Sequence, residues 1–335
     1  MNKLINTAGI DIGAIELVVV IYKRGKTGKP LTFPNDPAGH RAILKLLRKA
    51  KVARVCLDAT GVYHIDLAVA LHDAEEFGVM VVNPKAAKHY AEAIMSRTKT
   101  DWVDAAILSE YAQHMAFIPW TRPDDATLAI RASARRLAAL TKQRTQAKNQ
   151  LHAWKATDTT PSFIIQDVEL SIKQLDAQIE RLRENALTLV AQDQSLNEVL
   201  ELLLSVKGIA EASALQLMGE LMVLAPDMTA RQWVAMAGLD PRQHQSGSSV
   251  NKKSRISKVG NRYLRMALYM PALSAARHDC HVRGYYLHLI EDQGLKKIQA
   301  VCAIMRKLLH AIHGMLRSQT KFDSTRFYKL PSEAT

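Results

Sequence analysis

The sequence predicts a mixed α/β amino-terminal domain over residues 1–125, a helical middle over 126–192 with the spacing of a coiled coil, and a mainly α-helical, basic carboxy-terminal domain over 193–335. Three observations carry this division. Up to about residue 120, short apolar runs alternate with helical spacings, the signature of an α/β domain. From about residue 126 the pattern changes to long helices. The charge is also segregated: 18 Lys+Arg against 6 Asp+Glu lie in 231–335, which puts +12 of the net charge of +13 on one third of the chain.

The elements follow in order. "AGIDIGA" and "ELVVVIYKR" read as a strand pair, with "LTFPN" as a third strand. "AGHRAILKLLRKA" has helical spacing, "ARVCLDAT" is a buried strand ending at a turn, and "YHIDLAVALHDAEEFG" is a helix expected to stop at Gly78. "VMVVNP" gives another strand, and helices over "KAAKHYAEAIMS" and "RTKTDWVDAAILSEYA" close the domain. Beyond it, "ATLAIRASARRLAALTKQRTQAKNQLHAW" is a basic helix broken at "TDTTPS". Val168, Ile172, Leu175, Ile179, Leu182, Ala186 and Leu189 then recur at alternating spacings of four and three. Such a seam suits a coiled-coil hairpin or a dimer contact, and equally a long helix lying on the chain's own core.

In the last region Gly208 separates two apolar helical runs, and "TARQWVAMAG" ends at Gly238 with Pro241 just beyond, a helix stop. A polar loop is expected over "LDPRQHQSGSSVNKKSRISKVGN", followed by basic amphipathic helices "RYLRMALYMPALSAARHD" and "LKKIQAVCAIMRKLLHAIHGMLRS".

Hydrophobic content of 48% and charged content of 23% are ordinary for a globular chain. Neither a signal segment nor an apolar stretch of spanning length is visible, so the expectation is a cytoplasmic protein with no membrane partner. Cys56, Cys280 and Cys302 are scattered through apolar contexts and are expected to be buried thiols of a reducing compartment. A basic third of this size is an electrostatic footprint for a polyanion, most often nucleic acid.

Against that background the carboxylates stand out. Asp101 and Asp104 share one helix face directly after Arg97 and Lys99. Thr98 or Thr100 could cap that helix, and acids in a first turn suit its dipole. Two further carboxylates argue for more than capping. Asp11 interrupts the apolar strand "GIDIG" on the face opposite Ile10 and Ile12, where a lone carboxylate is costly unless paired or bound to a metal. Asp58 ends the strand "VCLD", a common position for catalytic groups in an α/β sheet. Four carboxylates from two strands and a helix can converge on Mg²⁺ or Mn²⁺, with Arg97 and Lys99 steering phosphate.

The serines of the polar loop lie among Arg242, Lys252, Lys253, Arg255 and Lys258, with Arg262 just after. Read alone, these residues form a basic loop gripping a phosphate backbone. A nucleophilic serine there would need an activating base or metal, and His244 is near without being assignable to that role. The Lys207-Gly208-Ile209 turn fits either a phosphate contact or a plain interhelical turn. "GIDIGA" and "LDATG" also resemble the phosphate loops of actin-like kinases, but the later Gly-rich adenosine segment of those proteins has no counterpart.

Taken together, "GIDIGA", "LDATGVY", "VVNP", "RTKTDWVDAAILSEYA", "SVKGIAEASA", "WVAMAGLDPRQHQSGSS" and "SKVGNRYLRMALYMPA" resemble, in order, the bridge-RNA-guided transposases of bacterial insertion sequences. The resemblance covers nearly the whole chain. It implies an RNase-H-fold, RuvC-like first domain joined through a coiled coil to a C-terminal transposase domain. It implies an acidic tetrad at Asp11, Asp58, Asp101 and Asp104 that binds metal, and a nucleophile at Ser246, with Ser248 and Ser249 as alternatives. It further implies strand exchange on double-stranded donor and target DNA through a phosphoserine link, guided by a structured non-coding RNA within a tetramer, at the nucleoid when acting. One departure is Asp58, where the family usually has Glu. The rival readings are a RuvC-like metal nuclease that cuts branched DNA with water, and a nucleic-acid-binding protein without catalysis. A tyrosine recombinase using Tyr263, Tyr285 or Tyr286 lacks the accompanying Arg and His pattern.

Overall fold

β1 (Thr7–Ile12) is the central strand of a mixed sheet, because its apolar residues alternate around Thr7, Gly9 and Asp11 and so supply both faces. It runs antiparallel to β2 (Glu16–Lys23), which pairs in turn with the two-residue β3 (Lys26–Thr27) and with β4 (Leu31–Pro34). On its other side β1 is parallel to β5 (Arg54–Asp58), and β5 is parallel to β6 (Gly78–Val82). The computed structural model describes residues 5–59, 61–247 and 250–330, apart from the side chains of His244, Lys252 and Lys253. The chain divides into two compact units, 1–122 and 123–335.

In the first unit, α1 (Pro37–Ala50) and α2 (Ile65–Asp73) cover the sheet face that carries Ile10 and Ile12, burying Ile43, Leu47, Leu67 and Leu71 there. α1 begins where Asp36 accepts the Gly39 amide at 2.7 Å, with Pro37 in the first turn. The opposite face is covered by α4 (Asp101–His114), whose Leu108 and Ala112 pack on Cys56, Met80 and Val82, with α3 (Pro84–Ala93) beside it. The helix expected to run to Gly78 ends instead at Asp73. Glu75 takes a left-handed backbone conformation (φ 56°), which a helix cannot continue through, and Gly78 opens β6.

In the second unit, α5 (Asp125–Lys155) and α6 (Ser162–Ala191) form a long antiparallel hairpin. Ion pairs Arg144–Asp176 (2.9 Å) and Lys155–Glu169 (2.6 Å) lie along it. The seam from Val168 to Leu189 is buried or half-buried, and its Ala186 joins Ile130 and Leu137 of α5 in the unit's core. That core is completed by α7 (Gln194–Leu204), α8 (Glu211–Leu221), α9 (Ala230–Ala237), α10 (Arg262–His278) and α12 (Lys297–Ser318). Gly208 (φ +105°) lies against α10 so closely that a Cβ would stand 2.7 Å from the Pro271 carbonyl oxygen, so the turn's glycine serves helix packing.

Three features of this unit depart from the sequence reading. The polar stretch after Gly238 is a two-stranded antiparallel ribbon, β7 (Pro241–Ser246) and β8 (Val250–Ile256), rather than a loop. An additional helix, α11 (Cys280–Glu291), follows α10 without a linker. Asp279 ends the one and caps the other, accepting the amides of His281 and Val282 at 3.0 Å. A short α13 (Ser324–Phe327) also closes on the core through Phe327. Of the thiols expected to be buried, only Cys56 is; Cys302 is half-buried and Cys280, at the first position of α11, is exposed.

Candidate active site

The first unit draws four carboxylates to one end of its sheet, and glycine makes this possible. Thr7, Gly9 and Asp11 share the face under α4. A Cβ on Gly9 would stand 2.0 Å from the carbonyl oxygen of Ala105 and 2.2 Å from the amide of Ser109, so α4 lies directly on the bare backbone of β1. Thr7 fixes the register by donating its hydroxyl to the Ser109 carbonyl at 2.7 Å. Ser109 therefore sits toward the start of β1 and Ala105 over its middle, so the helix runs back along the strand. Its first turn, with Asp101 and Asp104, is carried toward Asp11. Thr100 caps that turn, its hydroxyl accepting the Val103 amide at 3.3 Å. Asp58 reaches the same end along β5, where the register sets Ile10 beside Leu57.

Two of the four acids, Asp11 and Asp104, carry the electrostatic mark of their neighbours. Asp11 is raised from its ordinary 3.8 to about 7, first by burial and then by the negative charges of Asp58, Asp101 and Asp104, with Lys99 opposing. Asp104 is raised too, chiefly by burial and then by Asp101 and Asp58, again against Lys99. Asp101 is exposed and Asp104 half-buried. Arg97 and Lys99 are exposed in the segment leading into α4. An all-carboxylate donor set suits a hard divalent cation, which would offset both the burial and the repulsion that raise Asp11. The fit lies in charge and donor type. Among the described residues, no group of three or more His, Cys, Asp or Glu side chains stands close enough together to hold a metal ion.

In the second unit, Ser246 is the last residue of β7, exposed and paired across the ribbon with Val250. Gly247 follows in a left-handed conformation (φ +55°), with open space where a Cβ would stand. Ser248 and Ser249 lie outside the described residues, as do the side chains of Lys252, Lys253 and His244. Arg242 and Arg255 are exposed and directly opposite each other in the ribbon, and Lys258 is exposed just after it. Arg262 is exposed and spread over the Tyr263 ring, 5.0 Å from its centroid. Arg135 covers the same ring at 4.7 Å, and Tyr285 packs against Phe327, Tyr328 and Lys307, so both tyrosines have packing roles.

Sequence reasoning does not anticipate a buried polar cluster in the second unit. Glu220 of α8, 2% exposed, accepts two hydrogen bonds from Arg135 (2.7 and 3.1 Å) and one from Asn261 (2.5 Å), with Arg131 at 3.9 Å. Asn261 caps α10, so this carboxylate ties α5, α8 and the start of α10 together. The only sequence signal for it is Glu220 inside the run "LMGEL" near the end of α8.

Residues 8–154, which include all four carboxylates, match a transposase domain of the IS110 DEDD type, and residues 200–287, which include the ribbon, match the transposase IS116/IS110/IS902 family. Pilin gene-inverting proteins of Moraxella bovis and Moraxella lacunata are each 29% identical, over 94% of this chain and 97% of theirs. Among solved structures, T. thermophilus RuvC in complex with a Holliday junction substrate aligns with a TM-score of 0.27 at 15% identity, covering 34% of this chain and 99% of that one. Similarity to transposase domains in both regions supports a DNA recombination enzyme of the transposase class. Within that class, the two family matches and the full-length relatives support the IS110/IS116 transposase–recombinase family. Among the described residues, no helix is long and apolar enough to cross a membrane.

Proposed function

We propose that the protein is an RNA-guided recombinase of an insertion sequence that cuts and rejoins DNA through a covalent phosphoserine at Ser246. The observation that carries this reading is the gathering of Asp11, Asp58, Asp101 and Asp104 at one sheet end in a chain of net charge +13. Those acids lie in one region of transposase similarity and Ser246 in the other. The two pilin gene-inverting relatives support a reaction in which strands are rejoined rather than only cut.

In the proposed reaction the Ser246 hydroxyl oxygen attacks a DNA phosphorus. An O–P bond to serine forms as the bond from phosphorus to the 3′ oxygen breaks, the serine proton is given up, and the departing 3′ oxygen gains a proton. Phosphodiester number is conserved, so rejoining needs no external energy source. Asp11, Asp58, Asp101 and Asp104 would hold Mg²⁺ or Mn²⁺, which supplies Lewis-acid stabilisation of the departing oxygen. Arg97 and Lys99 draw the phosphate backbone toward the acids, and Arg242, Lys252, Lys253, Arg255, Lys258 and Arg262 hold backbone around the ribbon. In the tetramer that the reading includes, acids and serine at one scissile bond come from different protomers, and a structured RNA pairs with donor and target DNA.

Two experiments test this. A denaturing gel should show a protein–DNA adduct that Ser246→Ala abolishes. Cutting that survives in Ser246→Ala with no adduct would favour a hydrolytic nuclease, and activity that survives both Asp11→Ala and Asp104→Ala would exclude catalysis by the acids. Protein purified from cells carrying its flanking DNA should bring down a discrete RNA; recovery of none would remove the guided part.

A further inference from the structure

The foot of the ribbon holds a cavity of about 710 Å³, within the range of sites that enclose small organic ligands. One wall is β8, through Ser254, Arg255 and Ile256, and the facing wall is α12. Its rim is cationic: Arg255, Lys258, Lys296, Arg306 and Lys307 all line it, and none of its lining residues is acidic. Its floor is apolar, made by Leu239, Ile256, Leu295, Ile298, Cys302 and Ala303. Ile298 is 54% exposed on a helix whose other apolar face is core, so this surface is left open by the described residues of the unit.

The two halves of the lining ask for different things. A row of cations without counter-charge takes phosphate, and surface lysines would suffice for a duplex backbone. A concave apolar floor does not suit a duplex, in which each base already has its ring faces stacked on its neighbours. An unpaired base can lay one face on such a floor. His310 adds a polar group in the wall; burial, Arg306, His313 and Arg231 all lower its pKa, so at neutral pH its ring can both donate to and accept from a base edge. Lys307 is held in place over the Tyr285 ring, 4.3 Å from its centroid, rather than swinging freely in solvent.

We propose that this cavity binds one unpaired nucleotide, with its base on the Ile298–Ala303 floor and its phosphates against Arg255 and Arg306. The proposal rests on the nucleic-acid reading above and narrows it to locally unwound strand. Pro241 lines the cavity and Ser246 lies five residues further along the same strand, about 17 Å away at ~3.4 Å per residue. An extruded nucleotide held there would anchor the strand close to the proposed nucleophile. DNA and RNA share the phosphate-and-base chemistry, and the test separates them.

The full chain is titrated against three fluorescein-labelled probes, an eight-nucleotide single-stranded DNA, the same sequence as RNA, and a 20-base-pair duplex, with anisotropy as the readout. Ala303→Trp fills the floor without altering charge. The expected result is at least a tenfold loss of affinity for one or both single strands, with duplex affinity unchanged within twofold; the strand that loses affinity is the source. An equal effect on all probes, or no effect on either single strand, overturns the proposal. Wild-type protein that binds duplex but no single strand overturns it and leaves the recombinase reading standing, whereas failure to bind any probe removes both. Because the tryptophan could disturb folding, single strands carrying 5-iodouracil are also cross-linked to the wild-type chain. Adducts on peptides containing Tyr285 or His310 support the site, and adducts confined to other peptides overturn it.

Discussion

Replacing Asp11 by asparagine should stabilise the first unit at pH 8 while removing DNA cleavage. The folded chain holds the Asp11 proton up to about pH 7, whereas an unfolded chain releases it near 3.8. Between those values the folded state binds more protons, so this carboxyl's contribution to stability is fully present below about pH 4 and is lost as pH rises through 7. A shift of about three pH units corresponds to at most ~4 kcal/mol. Asp11 is only half-buried, and solvent screening brings the expectation to about 1–2 kcal/mol. Asparagine keeps the shape and cannot ionise, so Asp11→Asn should match wild type near pH 4 and exceed it by that amount at pH 8. The assay is a urea titration in EDTA, read by hydrogen exchange in peptides spanning 7–12 and 101–114. Added Mg²⁺ should stabilise wild type at pH 8 and the variant much less. If Asp11→Asn is less stable at pH 8, or follows the wild-type pH dependence, Asp11 is held by an attractive contact and the argument for a mutually repelling cluster fails.

Other perturbations test the supports of the site. Gly9→Ala drives a Cβ into the Ala105 carbonyl oxygen and the Ser109 amide, backbone atoms that cannot rotate away, and should cost about 3 kcal/mol or more by urea unfolding of the first unit. Thr100→Ala removes one cap bond and should cost about 1 kcal/mol, with a larger proportional fall in cleavage than in DNA binding because the first turn of α4 holds two of the acids. Glu220→Ala strands Arg135 and Arg131 without their carboxylate and should cost about 3–5 kcal/mol by denaturant midpoint.

What was legible in the sequence follows from which forces act locally. β1, β2, β5 and β6 announce themselves as apolar runs, and Asp11 is conspicuous because a carboxylate inside such a run needs a reason. The ribbon β7–β8 was invisible as strand. Its residues are polar on both faces and largely exposed, so no burial imposes alternation, and only the Ser-Gly pair at its turn hints at a hairpin. α11 gives a weak helical signal because Gly284 and the interspersed His281, Tyr285, Tyr286 and His288 interrupt its apolar spacing; Asp279 at its cap is the available clue. The candidate acids could be chosen one by one, but their convergence could not. It depends on the bare backbone of Gly9 and on the Thr7–Ser109 bond, contacts between residues about 100 positions apart.

Because α4 rests on the main chain of β1 rather than on side chains, Asp101 and Asp104 travel as passengers on a single rigid rod. At Gly9 there is no intervening side chain to trim or lengthen, so their spacing from Asp11 cannot be tuned there. Any change that slides the rod shifts both carboxylates together, so the site tolerates substitution around its edge far better than at the seat beneath the helix.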